Sequence, residues 1–308
     1  MGEKRKVIVT GAAGFGGFNL CLELLKEGFE VYAIVRPMSK HNKRLEKLRN
    51  DSLHIIEMER DDMGILAAFV ANACDDFKNA TFDYLFHMMW GGDRYDMDMQ
   101  MQNVIATYDL VKQAKILDVK RIIAAGSQAE YGSIYEEQRE DMEPKAESAY
   151  GKCKDLSGKL LFRVGKEQNI ECIWARIFSL IGPYEENGRM FKDLMDSAKK
   201  GKTMKLSSCK QIWNYMDARD MARAFILLAE HGKEFEIYNV ASSTSRPLRE
   251  YTDKANEIAY SICGNKATIE YGEDLKNPVN LNPDISKLKN DTGFSEKYNF
   301  EDSVKSYF

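Results

Sequence analysis

Apolar residues in this chain fall into short runs separated by longer stretches with helical spacing. Val7-Ile8-Val9 sits between a charged start and a glycine-rich turn, and predicts a buried strand over 6–10. Similar runs predict strands at 30–35, 53–58, 84–89, 121–125 and 171–177. Between them, helical spacing predicts helices at 18–27, where Gly28 ends the pattern, at 102–117 and at 147–167. Strands alternating with helices imply an α/β fold, a doubly wound parallel sheet covered on both faces. The texture changes after Gly182-Pro183. Helices are expected at 190–200 and 220–230 and a late strand at 238–240, and the tail from Asp274 is expected to hold short elements only. The division is therefore 1–178 for the sheet domain and 179–308 for a smaller C-terminal lobe interleaved with it.

Composition narrows the class. The 308 residues are 44% hydrophobic and 30% charged, which supplies a full core. A net charge of -4 with scattered lysines gives no basic stripe, so nucleic acid is not an expected partner. No apolar stretch is long enough to span a membrane or form a signal core, so a cytoplasmic protein is expected. The six cysteines include no C-x-x-C spacing, and no metal site is expected.

Gly11, Gly14 and Gly17 form a G-x-x-G-x-x-G turn, with Phe15 inside it, between the first strand and the first helix. Such a turn lets backbone N–H groups approach a pyrophosphate at a helix N-terminus. The second strand ends at Val35 and is followed by Arg36, then Ser39, Lys40 and Arg44. A carboxylate there would favour the ribose hydroxyls of NAD, whereas a guanidinium and a hydroxyl suit a 2′-phosphate, so NADP is expected over NAD.

Tyr150 and Lys154 lie four apart in a helical stretch and share a face. An ammonium near a phenol lowers its pKa and lets it exchange protons near neutrality. Ser127 follows the fifth strand, at the sheet end where ligands bind in such folds, with Gln128 next to it.

The ordered set resembles the NAD-dependent epimerase/dehydratase branch of the extended short-chain dehydrogenase/reductase family. The set comprises the glycine turn, Phe86-His87, Ser127 four residues before Tyr131-Gly132, Tyr150-x-x-x-Lys154, and Arg176-x-Phe178-Ser179-x-x-Gly182-Pro183. The resemblance implies a Rossmann-type sheet, a Ser127–Tyr150–Lys154 catalytic trio, and His87 and Phe178 beside the cofactor. It also implies Asn103 as a structural asparagine, a C-terminal lobe gripping a nucleotide-linked sugar, and a homodimer built on the helices of Gln102 and Tyr150. Leu156, Leu160 and Leu161 would serve that face or the core. Gln128, Ser179, Arg189 and Arg246 are the expected substrate contacts.

The chain departs from that pattern at His87-Met88-Met89-Trp90, at Ser179 in place of a common Asn, and at Trp213 in place of a phosphate-binding Arg. Gln128 and Ala129 stand where family dehydratases carry an acid–base pair, which argues against 4,6-dehydration, and Glu130, if extended, points away. Ala129 also replaces the Cys of the double epimerases. The resemblance thus implies NADPH-dependent reduction of a nucleotide-linked 4-keto-6-deoxyhexose. An NAD-dependent 4-epimerase is the alternative, and a catalytically inactive NADP-binding sensor or scaffold is the reading from another class.

Overall fold

The computed structural model describes residues 4–308 apart from 49, 79 and 277. The first half lays down β1 (Lys6–Thr10), α1 (Phe15–Lys26), β2 (Glu30–Val35), α2 (Asn42–Glu46), β3 (Leu53–Glu57), α3 (Leu66–Ala73), β4 (Phe82–His87), α4 (Met97–Ile116), β5 (Val119–Ser127), α5 (Ala149–Gln168) and β6 (Glu171–Ile177). The main sheet is seven-stranded, in the order Glu236–Val240, β6, β5, β4, β1, β2, β3, and every pairing is parallel. The order reverses between β1 and β4, which opens a crevice at the carboxyl ends of those strands. The expected doubly wound sheet is present. Its strands are continuous apolar runs because both faces are buried: Val7 and Val9 face one core layer, Ile8 the other.

Several boundaries move for physical reasons. Gly14 caps α1, so the helix starts at Phe15 and two glycines lie in its first turn. Asp96 caps α4, accepting the Met99 N–H at 3.0 Å, so that helix begins five residues before the expected 102. β4 ends at His87 because Met88 and Met89 turn to donate to Thr10, at 3.2 and 3.3 Å. β5 runs on to Ser127, which makes that serine the last residue of a central strand.

The second half forms β7 (Ser179–Ile181), α6 (Met190–Lys199), β8 (Thr203–Leu206), β9 (Ile212–Asp217), α7 (Ala218–His231), β10 (Glu236–Val240), β11 (Ser245–Pro247), α8 (Leu248–Cys263), β12 (Thr268–Tyr271), α9 (Ser286–Thr292) and α10 (Phe300–Lys305). β10 is the outer strand of the main sheet, and α7 packs against α1 through Met221, Ala222 and Phe225. The remainder builds a separate core around Phe191, Leu194, Tyr251, Ile258 and Val304. Residues beyond 178 thus contribute both to the main sheet, through β10, and to this second core. Among the described residues no helix is long and apolar enough to cross a membrane.

Candidate active site

The glycine turn is shaped as a cradle. Gly11 has φ +67°, and a Cβ there would sit 2.8 Å from the Met89 backbone, so both the dihedral and the close approach of the next strand's exit require glycine. Gly14 precedes Phe15 and Gly17 in the first turn of α1, whose N-terminus has no side-chain cap. Its amides are therefore available to an anion. From this cradle a cleft of about 500 Å³ runs past Val35, Arg36, Ser39 and His41 on one wall and Met89, Trp90 and Gly91 on the other. Its shape and donors fit a dinucleotide: glycine backbone for the pyrophosphate, the β2 exit for the adenosine, and Trp90 toward the nicotinamide end.

The β2 exit differs from its sequence reading in one respect. Arg36 is exposed and lines the cleft with Ser39, but Glu59 and Asp61 line it too. Arg44 is committed elsewhere. Its guanidinium donates to His41 Nδ1 at 2.7 Å, lies 3.7 Å from Glu186 and reaches the Tyr184 carbonyl at 3.5 Å. Arg60, also on the cleft wall, donates to Asp61 and Gln102. Among the described residues lining the cleft, that leaves the guanidinium of Arg36 for a 2′-phosphate.

At the end of β5, Ser127, Tyr150 and Lys154 come together as expected. Ser127 is almost fully buried, and its Oγ accepts the Ala129 N–H at 3.2 Å. Tyr150 opens α5, which is capped by Ser148, and its own N–H donates to the Arg94 carbonyl at 3.0 Å. Lys154, one turn on, is buried, donates to the Ala125 carbonyl at 2.6 Å, and rests 3.7 Å from the centre of the Trp90 ring.

The expected depression of the Tyr150 pKa by Lys154 is not what the site shows. Burial raises Tyr150, opposed first by its hydrogen bond with Ser127 and then by the charges of Arg94 and Arg189. Lys154 instead bears the cost itself: burial pushes its ammonium down to about 7, with Glu130 opposing the fall.

The remaining expected residues divide. His87 does not reach the cleft. It is buried between Thr10 Oγ1 at 2.8 Å and Thr107 Oγ1 at 3.4 Å, and burial pushes it down to about 3, so it is a neutral tie between β1, β4 and α4. Phe178 is buried against Tyr131. Asn103 braces the loop after β4, exchanging hydrogen bonds with the N–H and carbonyl of Gly91. Gln128 opens the turn after Ser127. Ser179 Oγ accepts the Trp213 Nε1–H at 2.9 Å, so two departures from the family pattern form one contact. Arg189 precedes α6, exposed, with its charge felt at Tyr150. Arg246 is not brought to the site; it opens onto another cavity, of about 320 Å³, with Tyr251, Glu296 and Lys297.

Sequence reasoning missed Arg94, whose guanidinium lies 5.3 Å from the Tyr150 ring centre. Its only sequence signal is a lone cation in the glycine-rich loop after β4. Sequence reasoning also misplaced Glu130. The segment after Ser127 is a tight 3-10 turn, not extended, and the carboxylate is buried beneath it.

Comparison with known proteins agrees with this geometry. Residues 7–241 match the model of the NAD dependent epimerase/dehydratase family. The chain is 24% identical to the uncharacterized UDP-glucose epimerase YtcB of Bacillus subtilis, over 92% of this chain and 90% of that one. It superposes on the UDP-glucuronic acid 4-epimerase of Bacillus cereus, solved in complex with NAD, with a TM-score of 0.81 at 21% identity, covering 98% and 95% of the two chains. It also superposes on RMD of Pseudomonas aeruginosa, solved with NADPH, with a TM-score of 0.78 at 16% identity over 99% and 97%. With the glycine cradle, the cleft and the Ser–Tyr–Lys cluster in place, the chain belongs to the NAD dependent epimerase/dehydratase family and is an enzyme of the short-chain dehydrogenase type.

Proposed function

We propose that this enzyme is a nucleotide-sugar 4-epimerase that keeps its nicotinamide cofactor through the catalytic cycle. The observation that carries the reading is the convergence of Ser127, Tyr150 and Lys154 beside Trp90 of the cofactor cleft, with Gln128 and Ala129 rather than an acid–base pair following Ser127. The relatives favour epimerisation over the NADPH-dependent ketoreduction expected from Arg36. The commitment of Arg44 to Glu186 points the same way, toward NAD. Ketoreduction remains the second reading, supported by the exposed Arg36 at the β2 exit.

A bound nicotinamide supplies reversible hydride acceptance at carbon 4 of the sugar. The residues of this chain manage the proton and the charge. Tyr150 takes the proton from the 4-hydroxyl as the carbonyl forms and, once the bound ketone has turned its other face, returns it to the oxygen on carbon 4 as that carbon is reduced again. Ser127 donates to the same oxygen, stabilising charge that grows in the transition state. Lys154 supplies a buried positive charge behind the phenol. Ser127 and Lys154 are buried and Tyr150 is half-buried, which limits water around the reacting oxygen. Arg94 and Arg189 attract the anionic substrate toward Tyr150. A homodimer is part of this reading: Ile105, Tyr108 and Ile116 on α4 and Leu156 on α5 are exposed, with Leu160 half-buried, while Leu161 is core.

Tyr150→Phe is expected to cut turnover of UDP-glucose or UDP-glucuronic acid by a factor on the order of hundreds, with cofactor binding unchanged by fluorescence titration. Turnover near that of the unmodified enzyme would remove Tyr150 from the mechanism.

A further inference from the structure

Glu130 has no part in the mechanism above, yet it is a buried carboxylate directly beside it. It is 1% exposed at the end of the 3-10 turn Gln128–Glu130. One oxygen accepts the Ser127 N–H at 2.7 Å and the Trp174 Nε1–H at 3.0 Å. The other accepts from Arg176 Nε at 2.7 Å, and Arg176 itself is 1% exposed. The backbone is cut away to admit this group: a Cβ on Gly126 would lie 2.4 Å from Trp174 Nε1 and 2.9 Å from the Glu130 carboxylate. A buried charge pair is costly to assemble, and apolar residues would fill the same space at no loss of stability. Its position, directly behind Ser127, is therefore informative.

We propose that Glu130 is a positioning residue of the catalytic trio, fixing Ser127 through its amide and holding a negative charge behind Lys154 and Tyr150. This rests on the trio's role in the proposed function. The groups facing Lys154 are Tyr150 on its own helix, Trp90 from the loop after β4, His87 on β4, Glu130 on the turn, and Trp174 on β6, with Arg176 beyond Glu130. His87 is held neutral by burial. Burial raises the pKa of Glu130, and the charge and hydrogen bond of Arg176 oppose that rise, so the Glu130–Arg176 ion pair is what keeps a carboxylate acting on Lys154. The carboxylate favours the ammonium of Lys154 and disfavours the phenolate of Tyr150, so it raises the proton affinity of both.

The test is Glu130→Gln in the full chain, which keeps an oxygen for the Ser127 N–H and removes the charge. Two readouts are used: the Lys154 titration by NMR of isotope-labelled lysine, assigned with Lys154→Met, and the pH profile of kcat on UDP-glucose and UDP-glucuronic acid. Both limbs of the profile are expected to move to lower pH by about one unit, and the Lys154 titration with them. A profile of lower height but unchanged limbs, with an unmoved lysine titration, would reduce Glu130 to a structural role and overturn the proposal. If Glu130→Gln does not fold, Glu130→Met/Arg176→Met removes both charges of the Glu130–Arg176 pair together and is expected to move the lysine titration in the same direction. Failure of the unmodified enzyme to turn over either sugar would count against the proposed function instead, and the lysine titration would still decide the role of Glu130.

Discussion

Lys154 shows how a single residue here trades stability for chemistry. Its ammonium donates to one carbonyl and rests on the Trp90 ring, with the Tyr150 and Trp174 ring centres 5.9 and 5.8 Å away, and burial holds its pKa at about 7 against an ordinary 10.5. Below pH 7 both folded and unfolded chains carry the proton, and the fold bears the full cost of burying it. Between about 7 and 10.5 the unfolded chain binds more protons, so stability from this group rises with pH. Lys154→Met removes that dependence. It is expected to be inactive yet to melt at higher temperature than the unmodified enzyme, with a larger gain at pH 6 than at pH 10, as thermal melts at the two values would show. A gain that is constant or larger at high pH would mean that the ammonium is not penalised.

The trio was legible in the sequence because helical spacing and a strand end place Tyr150, Lys154 and Ser127 without tertiary detail. Arg94, Glu130 and the Ser179–Trp213 contact were not, because each depends on which loop lies opposite. That Arg246 lines another cavity and His87 sits between two threonines was hidden for the same reason: residue type names a possible partner, and packing decides which is met.

At the scale of elements, the reading of 6–10 followed by a glycine turn and a helix carries over to β1 and α1 because Gly11 leaves little choice. Its φ is +67°, and the Met89 backbone lies 2.8 Å from where an alanine Cβ would sit, so a side chain there would displace the exit of β4. Gly11→Ala is expected to weaken cofactor binding at least tenfold and to destabilise the fold by about 1–3 kcal/mol, measured by cofactor titration and by urea unfolding. Binding unchanged would show that the turn yields. Elements with capped, periodic sequences were found within a few residues, as α5 was. In the small lobe α6 matches its expected span of 190–200 to within a residue, whereas α8 was not anticipated. α8 has a clear apolar face through Leu248, Tyr251, Ala255 and Ile258, yet it follows a three-residue strand with only Pro247 at its N-cap and no side-chain cap bond, so its start carries no signal. β7, β8, β11 and β12 are three or four residues long, too short for a period to register.

Across the whole molecule, the most consequential feature is a clasp between the two lobes beside the cofactor cleft. The loop after Gly182-Pro183 crosses to the segment after β2. Glu186 lies 3.5 Å from His41 and 3.7 Å from Arg44, the Tyr184 ring packs edge-on against Phe18 with centres 4.8 Å apart, and Asn19 donates to the Pro183 carbonyl at 3.3 Å. Tyr184 adopts φ +70° to make this contact. The clasp joins α1, whose N-terminus forms the anion cradle, to the loop after β7. A 4-epimerase regenerates its cofactor in place, whereas a reductase must exchange it every turnover.

That contrast makes cofactor retention the direct test. The enzyme purified without added nucleotide and then quenched in acid is expected to release about one equivalent of NAD per chain. The same preparation is expected to interconvert UDP-hexose 4-epimers by NMR with no net change in absorbance of the reduced cofactor. An enzyme that arrives empty, and that consumes NADPH in stoichiometric amounts with a nucleotide-linked ketosugar, would contradict the account and establish the reductase.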